Sequence, residues 1–333
     1  MNRAGSWDSS RPARGELATL VAAGVLFGVP GLVTTWLRLV PPRDDATALL
    51  AAFIPYGILA YALSLFCFVI ALIRARRRWA LLIFTTAVAC LLALHASWLV
   101  PFFVPDHRAA TTKPFTLLSL NMYDGGADPQ ALLDQAQQAD VVILLESTPS
   151  SLNTLALLGL GTRFPYADGD PKQGVSNTAI YSRFPLSDSV LMQGTLFQQY
   201  VTTVAVPDLG PVRLIGVHVC NPYCGDGRWA AEHAILRATV DANLNQPLVI
   251  AGDFNAIDDH GPLQALRRDG LKSATDIVGA GWLPTYPARR LLPPLLPIDH
   301  VMINNRLTAT SIRAVRIAGT DHFGLITTIA GTK

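Results

Sequence analysis

Five residues that directly follow an apolar stretch carry the clearest chemistry in this sequence. The stretch is residues 248–251, and Gly-Asp-Phe-Asn-Ala follows it, with Asp253 and Asn255 as the polar members. Because side chains alternate along a strand, Asp253 and Asn255 face the same side. A carboxylate can orient a water molecule, and an amide can donate to a phosphoryl oxygen. The pattern predicts a phosphoryl-transfer site at a strand end, although Asp-x-Asn alone also occurs in simple turns.

The elements that must position these residues are short and mostly extended. Strands are predicted at residues 115–121, 140–146, 177–182, 200–206, 212–219, 247–252, 300–303 and 324–329. Asp128 and Pro129 begin a helix as N-cap and first residue, and a second helix is predicted over 228–244. The strands outnumber the helices, and many are adjacent in sequence. We therefore expect an α+β fold, a four-layer α/β/β/α sandwich of two packed mixed sheets flanked by helices.

Separated motifs between residue 114 and the C-terminus resemble the endonuclease/exonuclease/phosphatase superfamily, which includes DNase I-like nucleases, sphingomyelinases and inositol phosphatases. The matching segments occur in the family order. They are Ser119-Leu120-Asn121, Leu145-Glu146, the Ile180–Pro185 segment, His218 with Asn221, Asp253 with Asn255, Ile298-Asp299-His300-Val301, and Thr320-Asp321-His322. Two positions depart from the family pattern: Thr320 stands in place of Ser, and Pro297 in place of an Arg before the Ile-Asp pair.

The resemblance implies a role for each matched polar residue. The catalytic residues would be Asp253, which orients the attacking water, His322 with its orienting partner Asp299, and His218. The phosphate-binding residues would be Asn121, Asn255 and Asn221. The metal ligands would be Glu146, Asp321 and Asn121, holding Mg²⁺ or alternatively Mn²⁺, since hard cations prefer carboxylate oxygen. His233 and His260 are expected at the surface, and His300 beside the site.

The first third of the chain has a different composition. Three stretches, at about residues 17–37, 46–73 and 79–104, are apolar and long enough to cross a bilayer. A buried helical bundle is the alternative. We expect a membrane anchor at residues 1–104, a linker at 105–113 and a catalytic domain at 114–333.

The arginines of the anchor predict its orientation. Arg3, Arg11 and Arg14 precede the first span, and Arg74, Arg76, Arg77 and Arg78 join the second span to the third. The positive-inside rule places both groups in the cytoplasm, so the catalytic domain would lie on the extracytoplasmic face of the plasma membrane. In that oxidising compartment Cys220 and Cys224 can form a disulfide, with two free thiols as the alternative.

Charge bears on the substrate. Residues 114–333 contain 15 Lys/Arg and 19 Asp/Glu, a net charge of −4, which disfavours nucleic acid as a partner. A lipid bilayer and a phosphorylated, lipid-linked substrate are the expected partners, and no protein partner can be inferred. An extracytoplasmic nuclease and a non-catalytic receptor are the alternatives. The loop 289–297, with Arg289, Arg290 and four leucines, is a candidate bilayer contact, or else packs against the domain.

Overall fold

The computed structural model describes residues 14–332, except 43, 77, 107, 173, 175 and 289–292. Of the predicted features, Arg3, Arg11, Arg77 and the loop residues Arg289, Arg290, Leu291 and Leu292 lie outside this part of the chain. The described chain forms two compact units. One contains the residues up to 40 and residues 53–99, and the other contains residues 41–52 and the chain from 100 onward.

Four helices form the N-terminal part of the chain: α1 (Arg14–Leu39), α2 (Asp45–Ala51), α3 (Gly57–Arg74) and α4 (Trp79–Phe103). Three helical stretches, Gly15–Leu39, Ile54–Arg74 and Trp79–Phe103, are long and apolar enough to cross a membrane. Large apolar side chains cover the outside of this unit, including Leu26, Phe66 and Ile83, which are each more than 60% exposed. Such a surface is suited to lipid.

The structure differs from the prediction at the second span. The sequence predicted one helix over 46–73, whereas residues 45–51 form the separate helix α2, which belongs to the second unit. Asp44 caps α2, because its carboxylate accepts from the Thr47 amide at 2.9 Å. Pro55 begins the next turn, where its missing N–H is tolerated. The two helices share an apolar composition, so hydropathy alone does not separate them.

In the described residues beyond α4, twelve strands and six α-helices build the second unit. The strands are β1 (Phe115–Asn121), β2 (Val141–Ser147), β3 (Tyr166–Asp168), β4 (Asn177–Ser182), β5 (Leu186–Leu191), β6 (Tyr200–Val206), β7 (Gly210–His218), β8 (Leu248–Asp253), β9 (Lys272–Ser273), β10 (Asp299–Ile303), β11 (Leu307–Arg316) and β12 (Phe323–Gly331). The helices are α5 (Pro129–Ala136), α6 (Pro149–Leu157), α7 (Leu160–Arg163), α8 (Arg228–Asp241), α9 (Gly261–Arg268) and α10 (Ala274–Val278).

The strands form two mixed six-stranded sheets. One has the order β11-β12-β1-β2-β4-β3, and the other β5-β6-β7-β8-β10-β9. Each sheet contains one parallel pair, β1 with β2 and β7 with β8, and its other pairs are antiparallel. The predicted α+β sandwich of two packed mixed sheets flanked by helices is confirmed.

Apolar side chains fill three layers. Leu117, Ile143, Val249 and Val301 are fully buried between the sheets. A second cluster, with Leu236 of α8, lies on the outer face of the β8 sheet, and a third, with Leu132 of α5, lies on the outer face of the β1 sheet. Burying both faces of each sheet fixes the strand register, because a one-residue shift would expose every core side chain.

Candidate active site

The carboxyl ends of the parallel strands meet at one edge of the sandwich, and the predicted polar residues lie there. Asn121 ends β1, Glu146 lies near the end of β2, and His218 ends β7. Asp253 ends β8, where it pairs in register with His218 on one side and with Asp299 of β10 on the other. Six site residues from both sheets are thus brought together, since His322 immediately precedes β12.

The motif around Asp253 requires unusual backbone geometry. Gly252 has a φ of +145°, and a Cβ there would lie 1.9 Å from the carbonyl oxygen of Val217, so only glycine fits. Asn255 also has a positive φ, of +46°. Its amide N–H donates to Asp253 Oδ1 at 2.8 Å, and its side chain donates to the Val219 carbonyl at 2.9 Å. These bonds hold the Asp253 carboxylate in one orientation.

Glu146 lies at an irregularity in β2. The pairing of β2 with β4 shifts between Leu145 and Ser147, and Glu146 has a φ of +51°. Strained backbone of this kind is concentrated at functional sites. The side chain is 20% exposed, and its oxygens accept from Asn121 Nδ2 at 2.9 Å and from the Asp124 amide at 3.0 Å. Burial and the nearby charge of Asp321 raise the pKa of Glu146, although these hydrogen bonds oppose the shift.

Asn121 links two carboxylates. Its Nδ2 also donates to Asp253 Oδ2 at 3.2 Å, while its Oδ1 accepts from the Tyr123 amide at 2.9 Å. With the amide in this orientation, the side-chain oxygen is engaged by the backbone and the nitrogen faces the carboxylates. The geometry fits a residue that donates to oxygen better than one that binds a cation through its own oxygen.

His322 lies between acidic groups. Its Nδ1 is 2.8 Å from Asp299 Oδ2, and its Nε2 is 3.8 Å from Asp253 Oδ2. Burial alone would lower the pKa of His322, but the charges of Asp299 and Asp253 raise it to about 10, so the ring is an imidazolium at neutral pH. Thr320 braces this segment, because its hydroxyl donates to the Asn121 carbonyl at 2.7 Å and accepts from the His322 amide at 3.1 Å.

Asp253 has the properties of a general base. It is 1% exposed, and burial together with the charge of Asp299 raises its pKa to about 7, against the opposing effect of His322. A carboxylate with a pKa near neutrality can accept a proton from water far more readily than an exposed aspartate can.

His218 differs from His322 in its charge. Its Nε2 lies 3.6 Å from Glu146 Oε1, and the ring of Phe197 stacks on it at 4.2 Å. Burial, assisted by the positive charge of His322, lowers the pKa of His218 to about 3, so this ring is neutral. A neutral imidazole can donate one hydrogen bond to a phosphoryl oxygen.

Asn221 is the predicted residue that these contacts do not bring into the cluster. Its Oδ1 accepts from the Tyr223 amide at 3.0 Å, which caps a 3₁₀ turn at Pro222–Cys224. Within the described chain, its side-chain hydrogen bond goes to this turn rather than to another site residue. Cys220 and Cys224 are joined in a disulfide across the turn.

The residues fit a divalent metal at Glu146. Its carboxylate is partly exposed, and Asp321, whose side chain is 18% exposed, raises its pKa. A cation would relieve that repulsion. Asp253, Asp299 and His322 also lie close enough to hold an ion. The imidazolium of His322 already offsets one of the two carboxylate charges of that group and has no lone pair to offer, so the Glu146 side is the better metal site.

Sequence reasoning missed several supporting residues. Phe197 and Tyr286, whose ring lies 4.9 Å from that of His322, come from loops without a recognisable motif. The predicted surface position of His233 and His260 is wrong, since they are 4% and 2% exposed. Both contact Trp229 of α8. His233 lies one turn further along the same helix, whereas His260 comes from the segment after β8, a contact between distant segments that one helix pattern cannot reveal. His300 is also buried, and its Nε2 lies 2.8 Å from the Ala256 carbonyl oxygen.

Comparison with known proteins gives one family. The model of the Endonuclease/Exonuclease/phosphatase family matches residues 118–322. None of the curated proteins compared with the chain matches it.

Solved structures with the same fold are distant in sequence. An endonuclease/exonuclease/phosphatase family protein from Bacteroides thetaiotaomicron is 13% identical with a TM-score of 0.53, covering 67% of this chain and 100% of that one. The mannosyl-6-phosphatase Bt3783 of the same bacterium is 14% identical with a TM-score of 0.52, covering 65% and 99%. Humanized TDP2 of D. rerio is 16% identical with a TM-score of 0.54, covering 65% and 98%. At these identities the likeness concerns the fold alone.

Proposed function

Because this chain belongs to the endonuclease/exonuclease/phosphatase family, we propose that it is a metal-dependent phosphoesterase anchored in a membrane. It hydrolyses a lipid-linked phosphate ester or pyrophosphate on the extracytoplasmic face. The observation that carries the proposal is the meeting of Glu146, Asp253 and the Asp299–His322 pair at one edge of the sandwich.

Each side chain of the site has a distinct role in the proposed reaction. Asp253 orients the attacking water and accepts its proton. The imidazolium of His322 donates from Nε2 to a phosphoryl oxygen, and Asp299 keeps its Nδ1 protonated. The 3.8 Å between His322 Nε2 and Asp253 Oδ2 is too long for a hydrogen bond, so the two groups can each face a different reacting oxygen. Asn121 and neutral His218 donate further hydrogen bonds.

Glu146 and Asp321 would hold Mg²⁺ or Mn²⁺. A metal bound there supplies positive charge that neutralises the phosphoryl oxygens and lowers the barrier to attack. Asn121 supports this site through its bond to Glu146 rather than through its own oxygen.

An apolar rim favours a substrate with a hydrocarbon chain. Four exposed apolar side chains adjoin predicted site residues in sequence or through one contact: Tyr123 44%, Leu196 47%, Tyr223 82% and Leu295 36%. Tyr123 and Tyr223 donate their amides to the side chains of Asn121 and Asn221. Leu196 precedes Phe197, which stacks on His218, and the Leu295 amide donates to Tyr286 beside His322. Exposed apolar groups around a polar site commonly mark contact with lipid or ligand.

The charges disfavour the nuclease alternative. Nucleic-acid affinity depends on Lys and Arg side chains that are available to phosphates. Several arginines of this unit are instead held by carboxylates: Arg183 by Asp140, Arg237 by Asp269, and Arg267 by Asp258 and Asp276. The receptor alternative is disfavoured because the catalytic positions of the family are retained.

Two observations support the extracytoplasmic location. The arginines at both cytoplasmic ends follow the positive-inside rule. The Cys220–Cys224 disulfide is typical of an oxidising compartment. Helix α2 shares its compact unit with the catalytic residues, as three spans require, because a loop after one span is on the same face as a chain leaving the third span; this agrees with three spans in either orientation. Protease digestion of a C-terminal tag in intact cells tests this topology, and protection of the tag would contradict it.

The substrate class is tested by phosphate release from detergent-purified full-length protein. We expect Mg²⁺-dependent release from polyprenyl pyrophosphate or a phospholipid, and none from DNA. Tyr223→Ser should lower kcat/KM for the lipid but leave turnover of soluble bis(p-nitrophenyl) phosphate unchanged. Leu157→Ser is the matched control, because Leu157 is 80% exposed at the end of α6 remote from β2. Cleavage of DNA with no lipid turnover would overturn the substrate class and leave the site standing.

A further inference from the structure

Helix α2 is built into the same compact unit as the active site, although it lies in sequence between two apolar helices of the anchor. Ala48 is 1% exposed and packs in the outer core of the β8 sheet together with Trp229 and Phe254. A connector that only joined two membrane spans would have no reason to bury a side chain in the catalytic core. The burial therefore indicates a structural role for α2 in that core.

Three contacts hold α2 and the residues before it against the catalytic unit. Asp45 Oδ2 accepts from the amide of Gly227, the N-cap residue of α8, at 3.1 Å. The carbonyl oxygen of Ala48 lies 2.9 Å from His260 Nε2. Pro41 lies against the start of α9, because a Cβ on Gly261 would be 2.8 Å from the Pro41 Cβ. Two segments of the catalytic unit, the start of α8 and the start of α9, thus hold the connector.

The direction of the His260 bond follows from its surroundings. The amide of Ile257 donates to His260 Nδ1 at 2.8 Å, so the proton of the neutral ring is on Nε2 and donates to Ala48. Burial lowers the pKa of His260 to about 4, which keeps the ring neutral at physiological pH. His260 therefore bridges α2 and the loop that follows β8.

A short series of contacts leads from His260 to the catalytic aspartate. The ring of Trp229 packs edge-on against His260, with centroids 5.3 Å apart. Trp229 Nε1 donates to the carbonyl of Asn255 at 2.9 Å, and Asn255 in turn donates its amide to Asp253 Oδ1. Asn255 is held at a φ of +46°, a conformation that persists only where its surroundings enforce it.

We propose that α2 is a positioning element of the active site, and that His260 and Trp229 are the positioning residues that relate its place to Asn255 and Asp253. The anchor then has two roles: its spans tether the domain, and its connector completes the support of the catalytic loop. A catalytic unit without residues 41–52 would lose the partners of Gly227, His260 and Gly261 together. The activity readout of this inference rests on the proposed function.

Two substitutions of His260 separate its bond to Ala48 of α2 from its bond to Ile257. In His260→Gln the amide nitrogen can replace Nε2 and still donate to Ala48. In His260→Asn the side-chain oxygen can replace Nδ1 and accept from Ile257, but the bond to Ala48 is lost. Both variants are made in the full-length protein and assayed with bis(p-nitrophenyl) phosphate. This probe is soluble and reaches the active site from solution.

We expect His260→Asn to lose about tenfold more in kcat than His260→Gln, with little change in KM, because both variants lose the ring contact with Trp229 but only the Gln variant keeps the bond to Ala48. The thermal midpoint of each variant shows whether it is folded. Wild-type kcat in the Asn variant, or equal losses in both variants, would overturn the proposal. If the wild-type protein does not hydrolyse the probe, the proposed function is at fault rather than α2.

A second experiment does not depend on activity. Pro41→Cys combined with Gly261→Cys should form a disulfide in the full-length protein, detectable by mass spectrometry, once the two Cβ atoms move from 2.8 Å apart to the roughly 3.8 Å of a disulfide, whereas Pro41→Cys with Gly210→Cys should not. Where the probe is hydrolysed, the linked protein should retain its kcat, because docked α2 is the active arrangement. Failure to form the link, or loss of kcat on linking, contradicts the proposal.

Discussion

Nδ1 of His322 lies 2.8 Å from Oδ2 of Asp299, and the opposite nitrogen of the same ring points toward Asp253 at 3.8 Å. The pair crosses between the sheets, since Asp299 begins β10 in one sheet and His322 precedes β12 in the other. The relationship gives the imidazolium a fixed direction. It therefore predicts how the site responds when either partner is removed.

Replacement of Asp299 by Ala should lower kcat by about a thousandfold, because His322 would lose both its orientation and part of the charge that keeps it protonated. His322→Ala should show a similar loss. The double variant should be hardly worse than either single variant, since the two residues act as a unit. Steady-state kinetics of the three proteins measure this, and additive losses would show that the residues act separately.

Asp253→Asn should abolish measurable turnover while raising the thermal midpoint at pH 8 in the presence of a chelator. Burial and Asp299 raise the pKa of Asp253 to about 7 from 3.8, so its ionised form destabilises the folded state above that pH. The increase in the thermal midpoint of Asp253→Asn over the wild type should diminish as the pH falls toward 4, where the Asp253 carboxyl of the folded wild type is protonated. Asp134→Asn, on the exposed side of α5, is the control, and a lower midpoint for Asp253→Asn would contradict this electrostatic account.

Glu146→Gln should weaken the response to metal. The neutral amide keeps the size of the side chain but supplies less charge to a hard cation. We expect the Mg²⁺ concentration for half-maximal activity to rise at least tenfold, and Asp321→Asn to have a smaller effect in the same direction. Isothermal titration with Mg²⁺ gives a measurement independent of turnover. Unchanged binding in Glu146→Gln would place the metal elsewhere.

Stability should fall in acid because of buried neutral histidines. Burial lowers the pKa of His260 to about 4 and that of His233 to about 3, below the value of 6.5 for an exposed ring. The unfolded chain therefore binds more protons between these pH values, so unfolding becomes easier as the pH falls below about 6.5. Thermal midpoints from pH 7 to 4 measure the slope. His260→Gln should make it shallower, and an unchanged slope would show that His260 does not contribute.

Much of the sandwich is predictable because its central strands are continuous apolar runs. The bounds of β1, β4 and β6 agree with the prediction to the residue. β5, Leu186–Leu191, was missed because four of its six residues are exposed, and three of those four are polar, as is common at a sheet edge. β11 was missed for a related reason, since Thr and Arg interrupt its apolar residues.

The candidate site was predictable where a residue type and a strand end coincide, as at Asp253 and Glu146. The roles of Phe197, Trp229 and His260 were not, because their contacts depend on which loops the two sheets bring together. Helix α2 shows the same limit: it directly precedes an apolar helix and is itself rich in Ala and Leu, so its separate place is seen only in the structure, where Ala48 is buried in the outer core of the β8 sheet.

The most direct test of the account is phosphate release by full-length protein from a polyprenyl pyrophosphate in detergent, with Mg²⁺ and with chelator. Asp253→Asn and His322→Ala are measured beside the wild type, and Asp134→Asn serves as the control. The account predicts Mg²⁺-dependent release by the wild type and the control, and none by the two site variants. Release that persists in folded Asp253→Asn and His322→Ala would contradict the assignment of the active site.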